Sequence, residues 1–449
     1  MKESIKDIIM VIIVIIIVII ITTLIGKYCI SKNTQETQTP NDEMQQMGEA
    51  NNSESNDIVQ TGTTEIDGTT ETLTGSYTTS ESDASVILVE NGGNATIDEA
   101  EVTKTGGDSS NTENSEFYGV NAGILVTENS TATITNTTIS TNATGSNAVF
   151  STGTDSKIYI SDSTITTTGS SSARGLDATY GGYIEADNVT ITTQGGSCAT
   201  LATDRGEGTV IAKNSTLETN GSGSPIIYST GTISITNTIG TANNAQLVVI
   251  EGKNSATVTS STLTATGTGN RGDVDQAGVM IYQSMSGDAS EGTGTFTAED
   301  SSLTISSDSE HYTTAPMFFI TNTDAIINLT NTELSFGSNI LISAKGTSEW
   351  GNEGSNGGNV TLNATNQTLN GNIEIDDIST VTINLTSSTY TGNINGENTA
   401  KEINIKLDSD SKIVLTGDSY VTSLEDDDTS YSNIDFNGYT LYVNGTAIN

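Results

Sequence analysis

The sequence is poor in the residues on which most catalytic and metal sites depend. Its 449 residues include one histidine, two cysteines, one tryptophan and three prolines. His311 has no cysteine near it in the chain, which argues against a His/Cys metal cluster and against a Ser-His-Asp triad, so we expect a solvated loop residue. Cys29 and Cys198 are too far apart in the chain to suggest a mutual disulfide. The sequence therefore predicts no catalytic residue and no metal site.

Basic residues are also scarce. Fifteen Lys and Arg face 55 Asp and Glu, which gives a formal net charge of −40. This balance excludes a general phosphate-backbone binder, so we expect no nucleic-acid partner. Charged residues make up only 16% of the chain, and regular Ile and Val argue against a wholly disordered acidic protein. The abundance of Thr, Ile and Val favours β structure.

The N-terminal region contains one long aliphatic run. After a short segment (residues 1–7), residues 8–26 carry no charge and are dense in isoleucine. A helix of this length, at about 1.5 Å per residue, would span the bilayer core of about 30 Å. No small-residue cleavage site follows it, so we predict an uncleaved transmembrane anchor, with a signal peptide as the alternative. This predicts a single-pass protein of the cell membrane whose β-rich part is extracellular.

The segment between the anchor and the first repeats has a different composition. From residue 33 to about 70 it contains no Lys or Arg and almost no aliphatic periodicity. Such a segment cannot bury enough apolar surface to offset its chain entropy. We therefore predict a flexible acidic stalk over residues 27–71 and one β domain over residues 72–449.

An internal repeat determines the predicted fold. Two apolar rows recur every 26 residues, and a third row shares their step through Ile124, Phe150, Leu176, Ala202 and Tyr228. The two clearest rows are Ile134, Ile160, Ala186 and Ala212, then Ile139, Ile165, Ile191 and Leu217. Short strands of this kind bury a common interior only by stacking coil on coil. The prediction is an all-β parallel β-helix solenoid with one coil per 22–26 residues and atypical closing coils at the C-terminus.

A polar row lies two residues beyond the first apolar row. Its members are Asn136, Asp162, Asn188, Asn214 and Asn237. Asn and Asp tolerate the left-handed conformation and bond to neighbouring backbone, as a sharp bend between strands requires. We predict a structural ladder of turn residues here, with a ligand or Ca²⁺ site as the alternative.

Several short stretches carry a family resemblance. Residues from about 75 onward resemble the right-handed parallel β-helix, pectin-lyase-like proteins of bacterial cell surfaces, and within them adhesin-like proteins. The stretches are 204–210 (DRGEGTV), 223–230 (GSPIIYST), 249–255 (VIEGKNS), 282–289 (YQSMSGDA) and 350–358 (WGNEGSNGG). The resemblance implies the right-handed coil and a surface location, and it implies no particular activity.

Six residues in successive bends after the third apolar row form the candidate ligand-binding set: Asp204, Arg205, Glu251, Lys253, Asn254 and Gln283. Polysaccharide lyases of the wider fold use acidic Ca²⁺ ligands and a basic residue that removes a proton beside a uronate. By that resemblance, Asp204 and Glu251 would fill the first role, and Arg205 or Lys253 the second. The alternatives are glycan contact without catalysis and ordinary ion pairs across turns.

The sequence therefore predicts a membrane-anchored surface β-helix that acts as a non-catalytic adhesin-like or glycan-binding module. The expected partners are polysaccharides or the surface glycans of host or neighbouring cells. No cofactor is expected, with loose Ca²⁺ binding by residues 425–428 as a minor alternative. A polysaccharide lyase or glycoside hydrolase is the second hypothesis.

Overall fold

The computed structural model describes residues 58–266 and 276–448. The predicted anchor (residues 8–26) and most of the predicted stalk lie outside these ranges. No helix within these ranges is long and apolar enough to cross a membrane. The anchor therefore stays a prediction.

Short strands dominate the described chain. The first coils contain β1 (Thr61–Asp67), β2 (Thr70–Thr79), β3 (Ala84–Glu90), β4 (Asn94–Lys104) and the helix α1 (Thr112–Tyr118). The next coils contain β5 (Ile124–Val126), β6 (Thr131–Thr135), β7 (Thr138–Thr141), β8 (Val149–Thr152), β9 (Lys157–Ser161), β10 (Thr164–Thr167), β11 (Leu176–Thr179), β12 (Tyr183–Asp187), β13 (Thr190–Thr193), β14 (Leu201–Thr203), β15 (Thr209–Lys213), β16 (Thr216–Thr219), β17 (Ile227–Ser229), β18 (Thr232–Thr236), β19 (Ile239–Ala242), β20 (Val248–Glu251), β21 (Ser255–Thr259) and β22 (Thr262–Ala265).

Wider coils follow, and shorter coils close the chain. The wider coils contain β23 (Val279–Tyr282), β24 (Thr293–Glu299), β25 (Ser302–Ile305), β26 (Phe318–Thr321), β27 (Thr323–Thr330), β28 (Glu333–Ser335), β29 (Ile340–Ala344), β30 (Gly358–Thr365), β31 (Thr368–Asn370) and β32 (Asn372–Ile375). The closing coils contain β33 (Thr380–Thr386), β34 (Thr389–Gly392), β35 (Glu402–Leu407), β36 (Lys412–Leu415), β37 (Ser419–Val421), β38 (Ser423–Asp426), β39 (Ile434–Asp435), β40 (Leu441–Val443) and β41 (Thr446–Ala447).

Each regular coil contributes one strand to each of three rows. The first row is a parallel sheet of twelve strands, which runs from β1 and β3 through β8, β11 and β14 to β32. The second row runs through β6, β9, β12 and β15, and the third through β7, β10, β13 and β16. The second and third rows merge in the long strand β4, which pairs with both β6 and β7. Stacked parallel rows of this kind form a parallel β-helix, as predicted.

Inward side chains from all three rows form one continuous core. Ile134, Ile160, Ala186 and Ala212 are in register and buried, as the repeat predicts. Ile139, Ile165, Ile191 and Leu217 form the matching buried row of the third strands. Because each coil contacts only its neighbours, the core grows one layer at a time along the axis.

The sharp bend between the second and third rows carries the predicted ladder. Asn136, Asp162, Asn188, Asn214 and Asn237 all have φ between 50° and 52°, in the left-handed region. Their side chains bond between coils: Asn188 Nδ2 donates to Asp162 Oδ1 at 2.7 Å, and Asn237 Nδ2 donates to Asn214 Oδ1 at 2.6 Å. Asn214 Nδ2 donates to Asp187 Oδ1, and Asn136 Nδ2 donates to Asp98 Oδ1. Each of these two aspartates precedes the turn residue of its own coil by one position. The row therefore serves the turn geometry.

Two sequence expectations need correction. The β-helix starts at Thr61, since β1 pairs in register with β3, so residues 61–71 belong to the domain and not to the stalk. Alternating half-buried and exposed side chains that end on the buried Ile66 allow this polar segment to add a coil. The third apolar row slips by one residue, because Ile124 is in register with Val149 and not with Phe150.

A hairpin closes the C-terminal end. The strand β40 pairs in parallel with β37 and antiparallel with β41. Tyr420 and Tyr442 stack across the first of these pairs, with ring centroids 4.8 Å apart. The antiparallel turn stops further parallel pairing at this end.

Candidate functional site

The outward face of the first row is buried, although it points away from the core. Helix α1 begins after the N-cap Asn111, whose side chain accepts a hydrogen bond from Glu113 N, and ends at Gly119 with φ 69°. A Cβ at Gly119 would meet the Phe150 ring at 2.4 Å, so only glycine fits here. The outward residues, listed coil by coil, are Leu88, Leu125, Phe150, Asp177, Ala202, Tyr228, Val249, Met280 and Phe319.

A buried ionic cluster interrupts this apolar face. Arg174 Nη1 lies 2.7 Å from both Asp177 Oδ2 and Asp204 Oδ2, and its Nη2 lies 2.5 Å from Glu116 Oε1 on helix α1. Arg174, Asp177 and Asp204 are at most 5% exposed. One guanidinium thus joins two coils of the first row to the helix that covers them, which fixes the helix position.

The cluster has more carboxyl groups than cations. Burial raises the pKa of Asp177, and it raises the pKa of Asp204 further, to about 8, despite the nearby Arg174. Asp177 Oδ1 is buried without a hydrogen-bond partner. Burial therefore favours the protonated form of Asp204 up to a higher pH than for an exposed aspartate. A carboxyl group that is this enclosed has no surface at which a polysaccharide could reach it.

Glu251 is also enclosed. Its Oε2 accepts hydrogen bonds from Tyr228 OH at 3.0 Å and from Tyr282 OH at 2.8 Å. Its Oε1 accepts from both the backbone N–H and the hydroxyl of Ser284. The Trp350 ring packs on Tyr282, with centroids 4.5 Å apart. Four donors stabilise the carboxylate of Glu251, which is 1% exposed, so Glu251 links the strands of Tyr228 and Tyr282 to the loop of Ser284.

The two basic candidates lie at the surface in separate ion pairs. Arg205 Nη2 bonds Asp288 Oδ1 at 2.7 Å, and the guanidinium carbon lies 3.9 Å from the centre of the Phe117 ring. Lys253 Nζ lies 2.7 Å from Glu207 Oε1, with both side chains nearly half exposed. Arg205 therefore links loop residue Asp288 to helix α1 and is engaged on both sides.

The last two candidates support the loops. Asn254 Nδ2 donates to the Glu251 carbonyl at 2.6 Å, and Gln283 Nε2 donates to the Ala289 carbonyl at 3.2 Å. Both side chains are buried. The six predicted residues thus lie in neighbouring turns, four buried and two exposed, and their side chains do not converge on one open groove.

Sequence reasoning missed Arg174, Asp177, Glu116 and Tyr228. Only one signal was available: the chain contains three arginines, and one of them, Arg174, stands three residues before an aspartate. A scarce arginine in an acidic chain is a good candidate for a buried pair, since an unpaired buried carboxylate is costly.

The outward faces of the second and third rows are bare. Thr138, Thr164, Thr190 and Thr216 form an exposed row on the third strands. Further along the second row, Asn384 Nδ2 donates to Asn363 Oδ1 at 2.8 Å, and Asn363 Nδ2 donates to Asn328 Oδ1 at 2.9 Å. Hydroxyl and carboxamide groups therefore repeat at the spacing of the coils, about 4.8 Å.

Metal ligands are not assembled in the part of the chain that the structure describes. No group of three or more His, Cys, Asp or Glu side chains there could hold a metal ion. In the acidic segment 425–428, Asp428 accepts hydrogen bonds from Ser430 and Ser432, which lower its pKa strongly. Loose Ca²⁺ binding by this segment stays a prediction.

Comparison with known families agrees with the geometry. Residues 122–291 match the family model described as the right-handed β-helix region. This chain is a right-handed parallel β-helix protein. The matched residues cover the coils from β5 to the loop before β24, which include Arg174, Asp177 and Asp204 of the ionic cluster but not Glu116. A comparison with curated proteins finds no match. The β-helix family includes both enzymes and non-enzymes, so the match identifies the fold, and any activity has to be inferred from the site.

Proposed function

We propose that this β-helix protein is a non-catalytic, adhesin-like module of the cell surface that contacts glycans. One observation carries the proposal: the outward faces of the second and third rows present hydroxyl and carboxamide side chains in register over many coils. Exposed threonines at Thr138, Thr164 and Thr190 and the amide ladder from Asn328 to Asn384 are examples. Such groups both donate and accept hydrogen bonds, as sugar hydroxyls require.

The repetition supports binding to polymers. A single hydroxyl or amide contact contributes about 1 kcal/mol, too little to hold a ligand. A polymer that contacts several coils makes the later contacts within one complex, so weak contacts add up to useful avidity. A rigid solenoid keeps these contacts at fixed spacing, which suits an extended chain.

Charge and location complete the proposal. With a net charge of −40, the surface repels anionic polymers unless a cation bridges them. Anchoring through residues 8–26 would place the β-helix outside the cell, where glycans of host or neighbouring cells are the available partners. Both statements rest on the sequence.

The lyase or hydrolase hypothesis receives less support from the same geometry. Asp204 and Glu251 are buried and fully engaged, while Arg205 and Lys253 form separate ion pairs at the surface. A general acid or base has to come within hydrogen-bond distance of its substrate. These four residues offer no such exposed pair.

A glycan array with the purified full-length protein tests the proposal. We expect selective binding to a subset of polysaccharides, retained after the protein is treated with a chelator. The heat-unfolded protein is the control, because an ordered array of side chains is required. Failure to bind any glycan would contradict the proposal. Release of new reducing ends from a bound polysaccharide would instead support the enzyme hypothesis.

A further inference from the structure

The third row of strands contains one interruption. From β7 to β28 each third strand pairs with the next, ending with the pair of β25 and β28. The strand β31 pairs with β34 but not with β28, and it starts a separate four-stranded sheet with β36 and β39. Over the same coils the second row continues without a break, since β27 pairs with β30. The two coils therefore separate only along the third row.

A longer side chain accompanies this separation. The residue after the turn residue is serine in many coils, and its hydroxyl accepts the backbone N–H of the preceding coil, as Ser163 accepts from Thr137 N at 3.1 Å. At the interruption this residue is Gln367. Its Oε1 accepts from Thr332 N at 2.9 Å, and its Nε2 donates to the Thr332 carbonyl. The glutamine amide spans a wider gap than a serine hydroxyl can, and it satisfies the backbone that β31 leaves unpaired.

A groove of about 670 Å³ runs beside the turn residues Asp300, Asn331 and Asn366 and includes both sides of this separation. Leu334, which lies in the groove, is only partly buried, whereas its register partner Leu303 is completely buried. An apolar floor with polar groups around it is typical of a ligand site.

The lining chemistry selects the ligand class. Hydroxyls and carboxamides dominate, including those of Thr262, Asn366, Thr368 and Asn370, together with the carboxylates of Asp300 and Glu333. No Lys, Arg or His is among the lining residues. Two carboxylates without a cation disfavour anionic ligands such as uronates. Hydroxyl and amide groups around the partly buried Leu334 match a neutral sugar, which has hydroxyls at its rim and C–H groups on its face.

We propose that the groove between β28 and β31 binds a segment of a neutral glycan chain. This inference rests on the proposed function and adds its location and its ligand class. The groove lies on the third row, away from the ionic cluster of Arg174. In the described part of the chain, the ladder of this row opens at this place, so binding is centred there and the bare rows extend the contact.

Substitutions that fill or strip the groove test this proposal. Asn370→Trp places a large ring in the groove, and Thr368→Val removes one hydroxyl. The matched controls are Thr192→Trp and Thr216→Val, which occupy the equivalent strand positions in a continuous part of the row. Calorimetric titration would use the full-length protein, in a detergent without a sugar headgroup, and neutral glucan, mannan and galactan oligomers, with polygalacturonate and chitosan oligomers alongside.

We expect Asn370→Trp to weaken neutral-glycan binding at least tenfold and Thr368→Val about fivefold, the loss of one hydrogen bond. Each control should weaken binding much less than its counterpart in the groove, because the controls lie on a row that only extends the contact. If Asn370→Trp binds neutral glycans as the wild type does, the groove is not the binding site, although the proposed function is still supported. Stronger binding of polygalacturonate or chitosan would overturn the ligand class. If the protein binds none of these oligomers, the proposal for the groove is wrong. If the glycan array also shows no binding, the proposed function is wrong as well.

Discussion

The first row and the third row of this β-helix come from the same coils, yet their outward faces differ. Phe150 on the first row is completely buried beneath helix α1, whereas Thr164 of the same turn of chain is exposed. Loops inserted after the first-row strands, including the one that carries Trp350, cover that face. The regular third-row strands are reached through a two-residue bend, and in the described part of the chain no helix covers their outward face. The coil thus has a covered side and a bare side.

Because one side is covered and the other is exposed to water, charged and neutral polar side chains have different roles on the two sides. On the covered side a carboxylate is stable only with partners, and Arg174 and the tyrosines provide them. On the bare side water is the partner, and neutral hydroxyls and amides remain available to a ligand. The buried charged residues therefore mark structure, while the repetitive neutral residues line the side that we propose to bind glycans.

Of the substitutions that compare the two sides, removal of Arg174 should reduce the stability of the protein most. Arg174→Ala leaves two buried carboxyls unpaired, and we expect a loss of about 3–5 kcal/mol in the free energy of unfolding. The loss should shrink at acidic pH, where Asp177 also takes up a proton. Lys213→Ala is the bare-side control, because Lys213 pairs with Glu185 at the surface, and its stability should be unchanged. Denaturant unfolding measures both, and equal losses would remove the distinction between the sides.

The pH dependence of stability should change when Asp204 cannot ionise. Its pKa is raised to about 8 in the folded protein, against about 4 in an unfolded chain, so the folded state holds the proton more tightly. This contribution is fully present below about pH 4 and is lost as the pH rises to about 8. Asp204→Asn should therefore lose less thermal stability between about pH 5 and about pH 8 than the wild type does. Parallel curves for the two proteins would contradict the buried proton.

A turn residue on the bare side should give the smallest effect. Asn188 has φ 52° and donates to Asp162, so Asn188→Ala should cost about 1 kcal/mol through the left-handed strain. Asn188→Gly adopts this conformation freely and should cost less than Asn188→Ala, although it also loses the hydrogen bond. Denaturant midpoints of the two variants give the comparison. A larger cost for glycine would mean that the side-chain ladder, and not the backbone conformation, stabilises the bend.

Much of the fold was predictable because the core rows obey simple chemistry. Ile160 and Ile165 recur at one step since each lies on a strand with one buried face, and Asp162 marks the bend because it tolerates the left-handed conformation. The register of the first row could not be predicted in this way. Val149 and Phe150 are both buried, one in the core and one beneath α1, so alternation of polarity could not fix the register.

The candidate site was less predictable than the fold. Asp204 and Glu251 were found by their place in the repeat, but their burial depends on helix α1 and on loops whose paths no period describes. The groove left one trace, Gln367 where other coils have Ser163 or Ser215. One glutamine in the sequence does not predict a groove, because its role depends on the separation of β28 from β31, which only the structure shows.

The interruption beside Gln367 also bears on how the molecule comes apart. Beyond it the first row ends at β32 and the third row has begun anew at β31, so only the second row joins the closing coils to the body by an unbroken ladder. In a solenoid each coil gains stability only from its neighbours. We therefore expect the last coils to melt as a separate cooperative unit, with backbone amides that exchange with deuterated water sooner than those of the long N-terminal part.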